Sequence, residues 1–141
     1  MPAGELTIEA EPLRALRAHA AEGHPHEVVG ILAGHGDRVT EIAALINERA
    51  DSPRNRYQVS GLVLMRAEQG LEAKGLSILG YYHSHPDHPA RYSDFDRDHA
   101  LPNLSYVIVS VEQGVPGEIR SWRLREDRTA MDEQSLHLES P

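Results

Sequence analysis

The stretch YYHSHPDHPARYSDFD, residues 81–96, constrains this chain more than any other part of it. The apolar run LSILGYY at 76–82 reads as a buried strand, and the histidines stand at its end. Because side chains alternate along a strand, His83 and His85 share one face and Ser84 takes the other. Pro86 removes an amide donor and ends the strand, DHPARY forms a loop, and Ser93 with Asp96 three residues on has the pattern of a capping box. A helix that starts beside the strand end delivers Asp96 to the two imidazoles. Ser93 and Asp96 can therefore cap a helix and serve a site together.

Two groupings compete for these side chains. HSHPDH fits a compact H-x-H-x-D-H cluster of the metallo-β-lactamase type, with His88 as a third ligand and Asp87 serving a second metal. It needs further ligands downstream, where only His99 and His137 remain. The longer grouping joins His83, His85 and, beyond seven intervening residues, Ser93 and Asp96. Two imidazoles and one carboxylate make a three-ligand zinc set whose fourth tetrahedral position stays open to water, and zinc lowers the pKa of such a water to about 7. Glu27, at the head of the apolar run VVGILAG, has the chemistry to take a proton from that water and pass it to a leaving amine. Ser93 can donate a hydrogen bond to the oxyanion formed on an attacked carbonyl. The same histidines can instead hold a structural zinc in a binding module, closed by His88 or His99 as a fourth ligand. His24, His26 and His35 read as solvated, and Asp94 and Asp98 as charges of a helix first turn.

The rest of the chain bounds what surrounds such a site. With 141 residues one domain and one core are expected. The formal charge of −8 opposes binding to nucleic acid, which depends on neutralising phosphates. Cysteine is absent, so any metal rests on histidine and carboxylate. The N-terminus MPAGELTIEAEPL has neither a basic nor an apolar leader region, and no run is long enough to span a bilayer, so a cytoplasmic location without membrane association is expected. Residues 10–22 place Leu13, Leu16 and Ala20 on one helical face. Segments 27–34 and 38–47 read as a hairpin across HGD, and 62–75 as a second helix capped by Ser60, with Leu62, Met65, Ala67 and Leu71 near helical spacing. Two more strands, 105–111 and 118–125, flank a GVPG turn. The order is α-β-β-α-β-α-β-β, which suits a three-layer α/β fold with a mixed sheet flanked by helices. The domain is expected over 1–125, with a polar tail at 126–141. The charged loop 48–57, carrying Arg54 and Arg56, is a candidate contact surface.

These residues resemble the JAMM, or MPN-plus, metalloprotease family: an upstream glutamate, H-[ST]-H-P, then S-x-x-D. Here the positions are Glu27, then His83, Ser84, His85 and Pro86, then Ser93 and Asp96. EVVGILAG, SPRNRY, GYYHSHP and SYVIVSV look like the flanking text of small prokaryotic members, and the resemblance runs from about Pro25 to Trp122. It implies a JAB1/MPN-like fold and zinc on His83, His85 and Asp96. It also implies Glu27 as acid/base and Ser93 as oxyanion stabiliser. The implied reaction is hydrolysis of a peptide or isopeptide bond after the C-terminal glycines of a ubiquitin-like protein. In bacteria the expected partner is a ubiquitin-like sulfur carrier, with its tail bound extended at a strand edge.

Overall fold

The structure is a computed structural model that describes residues 4–47 and 59–140. Along the chain run β1 (Glu5–Ile8), α1 (Ala10–Gly23), β2 (Val29–His35), β3 (Arg38–Leu45), α2 (Gly61–Ala73), β4 (Ser77–Pro86), α3 (Asp94–His99), β5 (Ser105–Glu112), β6 (Val115–Leu124) and β7 (Met131–Leu138). The eight expected elements are present in the expected order, with β1 and β7 in addition. The expected loop 48–57, with Arg54 and Arg56, lies outside the described residues.

The strands pair in the order β1-β3-β2-β4-β5-β6-β7, and β1 returns to β7 to close the sheet. The mixed sheet with helices is as expected, whereas the closure through β1 and β7 departs from the expected simple three-layer arrangement and strand order. The expected polar tail contains β7, which takes half of 126–141 and runs antiparallel to β6 and parallel to β1, with Leu6 opposite Leu136 and Ile8 opposite Leu138. The first half of β7, Met131–Gln134, pairs with β6 and the second, Ser135–Leu138, with β1, main-chain pairing that its polar side chains alone do not suggest.

Alternation along the strands sorts the core into an inner and an outer face. Inside the curve of the sheet, α1 buries Leu13, Leu16 and Ala20 against Leu32, Val39, Tyr82, Val107 and Val109, the face its 3.6-residue spacing requires. On the outer face, Val29, Ile31 and Ala33 meet Leu64, Ala67 and Leu71 of α2. The apolar face of α2 is the expected one at Ala67 and Leu71, but Leu64 packs in place of Leu62 and Met65, which are 51% and 47% exposed. A second outer cluster joins Tyr106, Ile108 and Trp122 to the segment around α3.

Local chemistry explains two further details. The hairpin between β5 and β6 turns at Gln113 and Gly114, both at positive φ as a two-residue turn requires, so Val115, Pro116 and Gly117 of the expected GVPG turn already belong to β6. Pro116 is tolerated there beside a register shift between Val109 and Val111. In β2, Gly30 lies opposite Tyr82, and a Cβ at Gly30 would stand 2.2 Å from the tyrosine ring. Glycine is what lets that ring fill the inner core.

Candidate metal centre

The last turn of β4 carries His83 and His85 on the outer face of the sheet, with ring centroids 5.1 Å apart. Parallel pairing with β5 sets His83 beside Ile108 and His85 beside Ser110, and α3 begins above them. Ser93 caps α3 as expected: its Oγ accepts from the Asp96 amide at 3.1 Å, while Asp96 Oδ2 accepts from the Ser93 amide at 2.9 Å. That reciprocal bond locks the Asp96 rotamer. The same Oδ2 stands 3.4 Å from His83 Nε2 and 3.7 Å from His85 Nε2. Glu27, just before β2, also joins the group, its carboxylate within 4.8 Å of both histidine donors. The two imidazoles therefore have two carboxylates close by.

Three of the four groups are buried, His83 at 2%, Asp96 at 6% and Glu27 at 7% exposed, while His85 is only partly buried. Burial disfavours the charged forms of His83 and Asp96, but their proximity outweighs it. His83 is raised above the usual histidine range, helped by Glu27, and Asp96 is held well below the usual carboxylate range by His83, the Ser93 amide and His85. Burial and the neighbouring His83 push His85 the other way, down. The His85 ring is oriented by a bond from Nδ1 to the Pro89 carbonyl at 3.0 Å, and since a carbonyl only accepts, Nδ1 carries the proton and Nε2 is left as a donor to a metal.

The donors suit a metal ion: Glu27, His83 and His85 each offer a ligand atom, all within 4.8 Å of one another, and Asp96 stands beside both histidines. Ligand atoms bonded tetrahedrally at about 2.0–2.2 Å stand roughly 3.3–3.6 Å from one another. The separation of 3.4 Å from Asp96 Oδ2 to His83 falls in that range and that of 3.7 Å to His85 just above it, and both are longer than a charge-assisted hydrogen bond of about 2.7–2.9 Å. Beside this cluster opens a cleft of about 470 Å³ lined by Glu27, His85, Ser93 and Asp96. Ser93 is exposed at its wall.

The other candidates are engaged elsewhere. Asp87, at φ 58, turns its carboxylate to His24 Nε2 at 3.1 Å and to the Gln113 amide, so it does not complete a compact cluster. His88 lines the cleft, and its carbonyl accepts from Ser110 Oγ. His99 Nδ1 bonds the Phe95 carbonyl at 2.8 Å. Asp94 and Asp98 both face Arg97 on the surface of α3.

Two positioning residues escape a reading of the sequence. Ser84, fully buried, accepts from the Val28 amide at 2.9 Å and donates its own amide to the Val28 carbonyl, stitching β4 to the residue next to Glu27. Asn47 Nδ2 donates to the Glu27 carbonyl at 2.7 Å. A hydroxyl residue between the two histidines was the only signal for the first. The second is 20 residues from its partner and carried none.

Comparison with known proteins identifies the family. A family model described as prokaryotic homologues of the JAB domain matches residues 9–125. A probable TtuB-protein conjugate cleaving protease of Thermus thermophilus is 38% identical over 100 residues, which are 71% of this chain and 66% of that relative. A desampylase of Haloferax volcanii is 33% identical, covering 78% of this chain and 84% of its own length. A CysO-cysteine peptidase of Mycobacterium tuberculosis is 30% identical, covering 84% and 82%. Among solved structures, a protein from Desulfitobacterium hafniense superposes with a TM-score of 0.80 at 29% identity, over 96% of this chain and 94% of its own. With the match spanning most of its length, this chain belongs to the prokaryotic homologues of the JAB domain.

Proposed function

We propose that this chain is a zinc-dependent metallopeptidase that hydrolyses the peptide or isopeptide bond after the C-terminal glycines of a ubiquitin-like sulfur carrier. The observation that carries this reading is the single point at which Asp96 Oδ2 faces both His83 Nε2 and His85 Nε2, with the Glu27 carboxylate within 4.8 Å of the histidine donors. Relatives named for cleaving a TtuB-protein conjugate and CysO-cysteine support the substrate class. The catalytic unit takes in residues 1–125, and β7 beyond it closes the sheet. A cytoplasmic location is assigned with it; no described helix is long and apolar enough to cross a membrane.

His83, His85 and Asp96 hold the metal. When bound, zinc supplies a Lewis acid for the carbonyl and acidifies water. The Glu27 carboxylate takes the proton of the attacking water and returns it to the leaving amine. Its position depends on its main chain, which Asn47 holds directly and Ser84 holds through Val28. Ser93 Oγ, which accepts from the Asp96 amide, keeps its hydroxyl proton to donate to the oxyanion. The extended tail has a place to lie: β1 pairs with β3 only at Arg38 and Val39, so among the described strands residues 40–45 of β3 are open on that side and lead towards Glu27.

The test is zinc-loaded protein against a carrier tail ending in Gly-Gly followed by one further residue. Cleavage after the second glycine that disappears in Glu27→Gln, while the zinc content is unchanged, is the expected result. Zinc lost along with Glu27, or turnover that survives the change, would remove Glu27 from this role.

A further inference from the structure

The cleft beside the metal centre is acidic on most sides, with Glu27, Asp94 and Asp96 in its wall. Among its described lining residues Arg91 is the single lysine or arginine. Its guanidinium forms no ion pair with another described residue, although this chain carries many surface pairs between arginine and carboxylate. Instead it lies over the Tyr92 ring, 5.5 Å from the centroid. Tyr92 in turn packs edge-on against Trp122 at 5.0 Å.

The main chain that presents Arg91 is anchored on both sides. Ala90 is fully buried; its carbonyl accepts from Trp122 Nε1 at 3.1 Å and its amide donates to Glu118 at 3.2 Å. The Arg91 amide bonds the Pro89 carbonyl at 2.8 Å, and that same carbonyl orients His85. Ser110 fastens the His88 carbonyl at 2.6 Å. The loop between β4 and α3 is thus tied to β5 and β6, and Arg91 is offered to the cleft from a fixed support.

Strand order gives this cation a side. From β3 the sheet runs through β2 to β4 and β5, so Glu27 and the open half of β3 lie on one flank of the histidines, and the loop bearing Arg91 on the other. A carrier tail that follows β3 to Glu27 places its leaving group towards Arg91.

We propose that Arg91 binds the free α-carboxylate of a single amino acid released from the carrier tail, and so selects amino-acid adducts over lysine isopeptides. This rests on the hydrolase reading above. In an adduct the carboxylate is one carbon removed from the scissile nitrogen, whereas a lysine side chain offers four methylenes there and keeps its carboxyl in another peptide bond. The reaction balances as plain hydrolysis: water gives its hydroxyl to the glycyl carbon and its proton to the departing nitrogen, leaving a glycine carboxylate and a free amino acid. Planar guanidinium and planar carboxylate suit a paired hydrogen bond.

The experiment uses one tail peptide ending in Gly-Gly-Ala, as the free acid and as the carboxamide. Hydrolysis is followed with wild type, Arg91→Gln and Arg91→Lys, and dissociation constants are measured by calorimetry in the same proteins carrying Glu27→Gln. The expected ratio of kcat/KM, free acid over carboxamide, is about ten or more in wild type. It falls close to one in Arg91→Gln and recovers in part in Arg91→Lys. A wild-type ratio near one, or a ratio that survives Arg91→Gln, overturns the proposal and leaves the hydrolase intact. A purely structural role for Arg91 lowers both substrates together and leaves the ratio, which also overturns it. If neither peptide is hydrolysed but the dissociation constants discriminate through Arg91, the hydrolase reading fails and the carboxylate site stands. If neither hydrolysis nor discrimination is seen, both fall.

Discussion

The two faces of β4 use the same backbone for opposite purposes. Tyr82 and Ser84 point into the curve of the sheet and His83 and His85 point out of it. Tyr82, Ser84 and His83 are almost fully buried, so exposure does not separate the faces. Charge does. On the inner face the polar atoms have neutral partners: Tyr82 Oη with His19 Nδ1 at 2.7 Å, and Ser84 Oγ with the Val28 amide. On the outer face two imidazoles meet two buried carboxylates, an arrangement that gains little stability because desolvating charges offsets their attraction. One face holds the fold and the other holds reactive groups in place.

The comparison is broken most severely from the outer face. His83→Ala and Asp96→Asn are expected to bring zinc from about one per chain to near zero, with loss of the rise in Tm on adding zinc. Asp96→Asn keeps an oxygen to accept from the Ser93 amide, so zinc retained in that variant shows that Asp96 serves the cap alone. Glu27→Gln is expected to lower turnover by about 10²–10⁴ with zinc content unchanged, read by steady-state kinetics beside elemental analysis. On the inner face the effects are on stability. Tyr82→Ala should cost about 3–5 kcal/mol in denaturant unfolding, with the zinc content of the folded protein unaltered.

Ser84→Ala tests whether the faces are coupled. Leaving the buried Val28 amide unsatisfied costs about 1–3 kcal/mol. Because Val28 adjoins Glu27, kcat should fall more than KM rises; a stability loss with unchanged kcat would make the serine structural only. The smallest effect concerns His19, half-buried on α1, whose pKa burial lowers while Glu22 partly opposes the shift. A histidine depressed in the fold contributes stability that is present above its unfolded pKa of about 6.5 and is lost as pH falls through the folded value. Unfolding midpoints of wild type should decline below that pH more steeply than those of His19→Asn, and identical profiles would show that His19 does not titrate with folding.

Much of this was legible in the chain itself. The spacing of Leu13, Leu16 and Ala20 set the buried face of α1, because a helix has one period. Alternation put His83 and His85 on one side of a strand, and the three-residue step from Ser93 to Asp96 set a helix start. Where two periods compete or composition misleads, the reading failed. The apolar residues of α2 offered more than one face, and packing against β2 kept the expected Ala67 and Leu71 but took Leu64 in place of Leu62 and Met65. MDEQSLHL resembled a solvated tail because its side chains are polar.

Local sequence by itself determined the chemical inventory of the site and the two short elements that carry it, since both depend on contacts within a few residues. Tertiary structure alone decided that β7 closes on β1 from the far end of the chain, and that Ser84 and Asn47 hold the main chain around Glu27. It also decided that Arg91 stands over an aromatic stack at the cleft. Those contacts join residues distant in sequence, or depend on a loop that distant strands hold, and no local period or cap encodes them; they exist only once the sheet has brought their partners together.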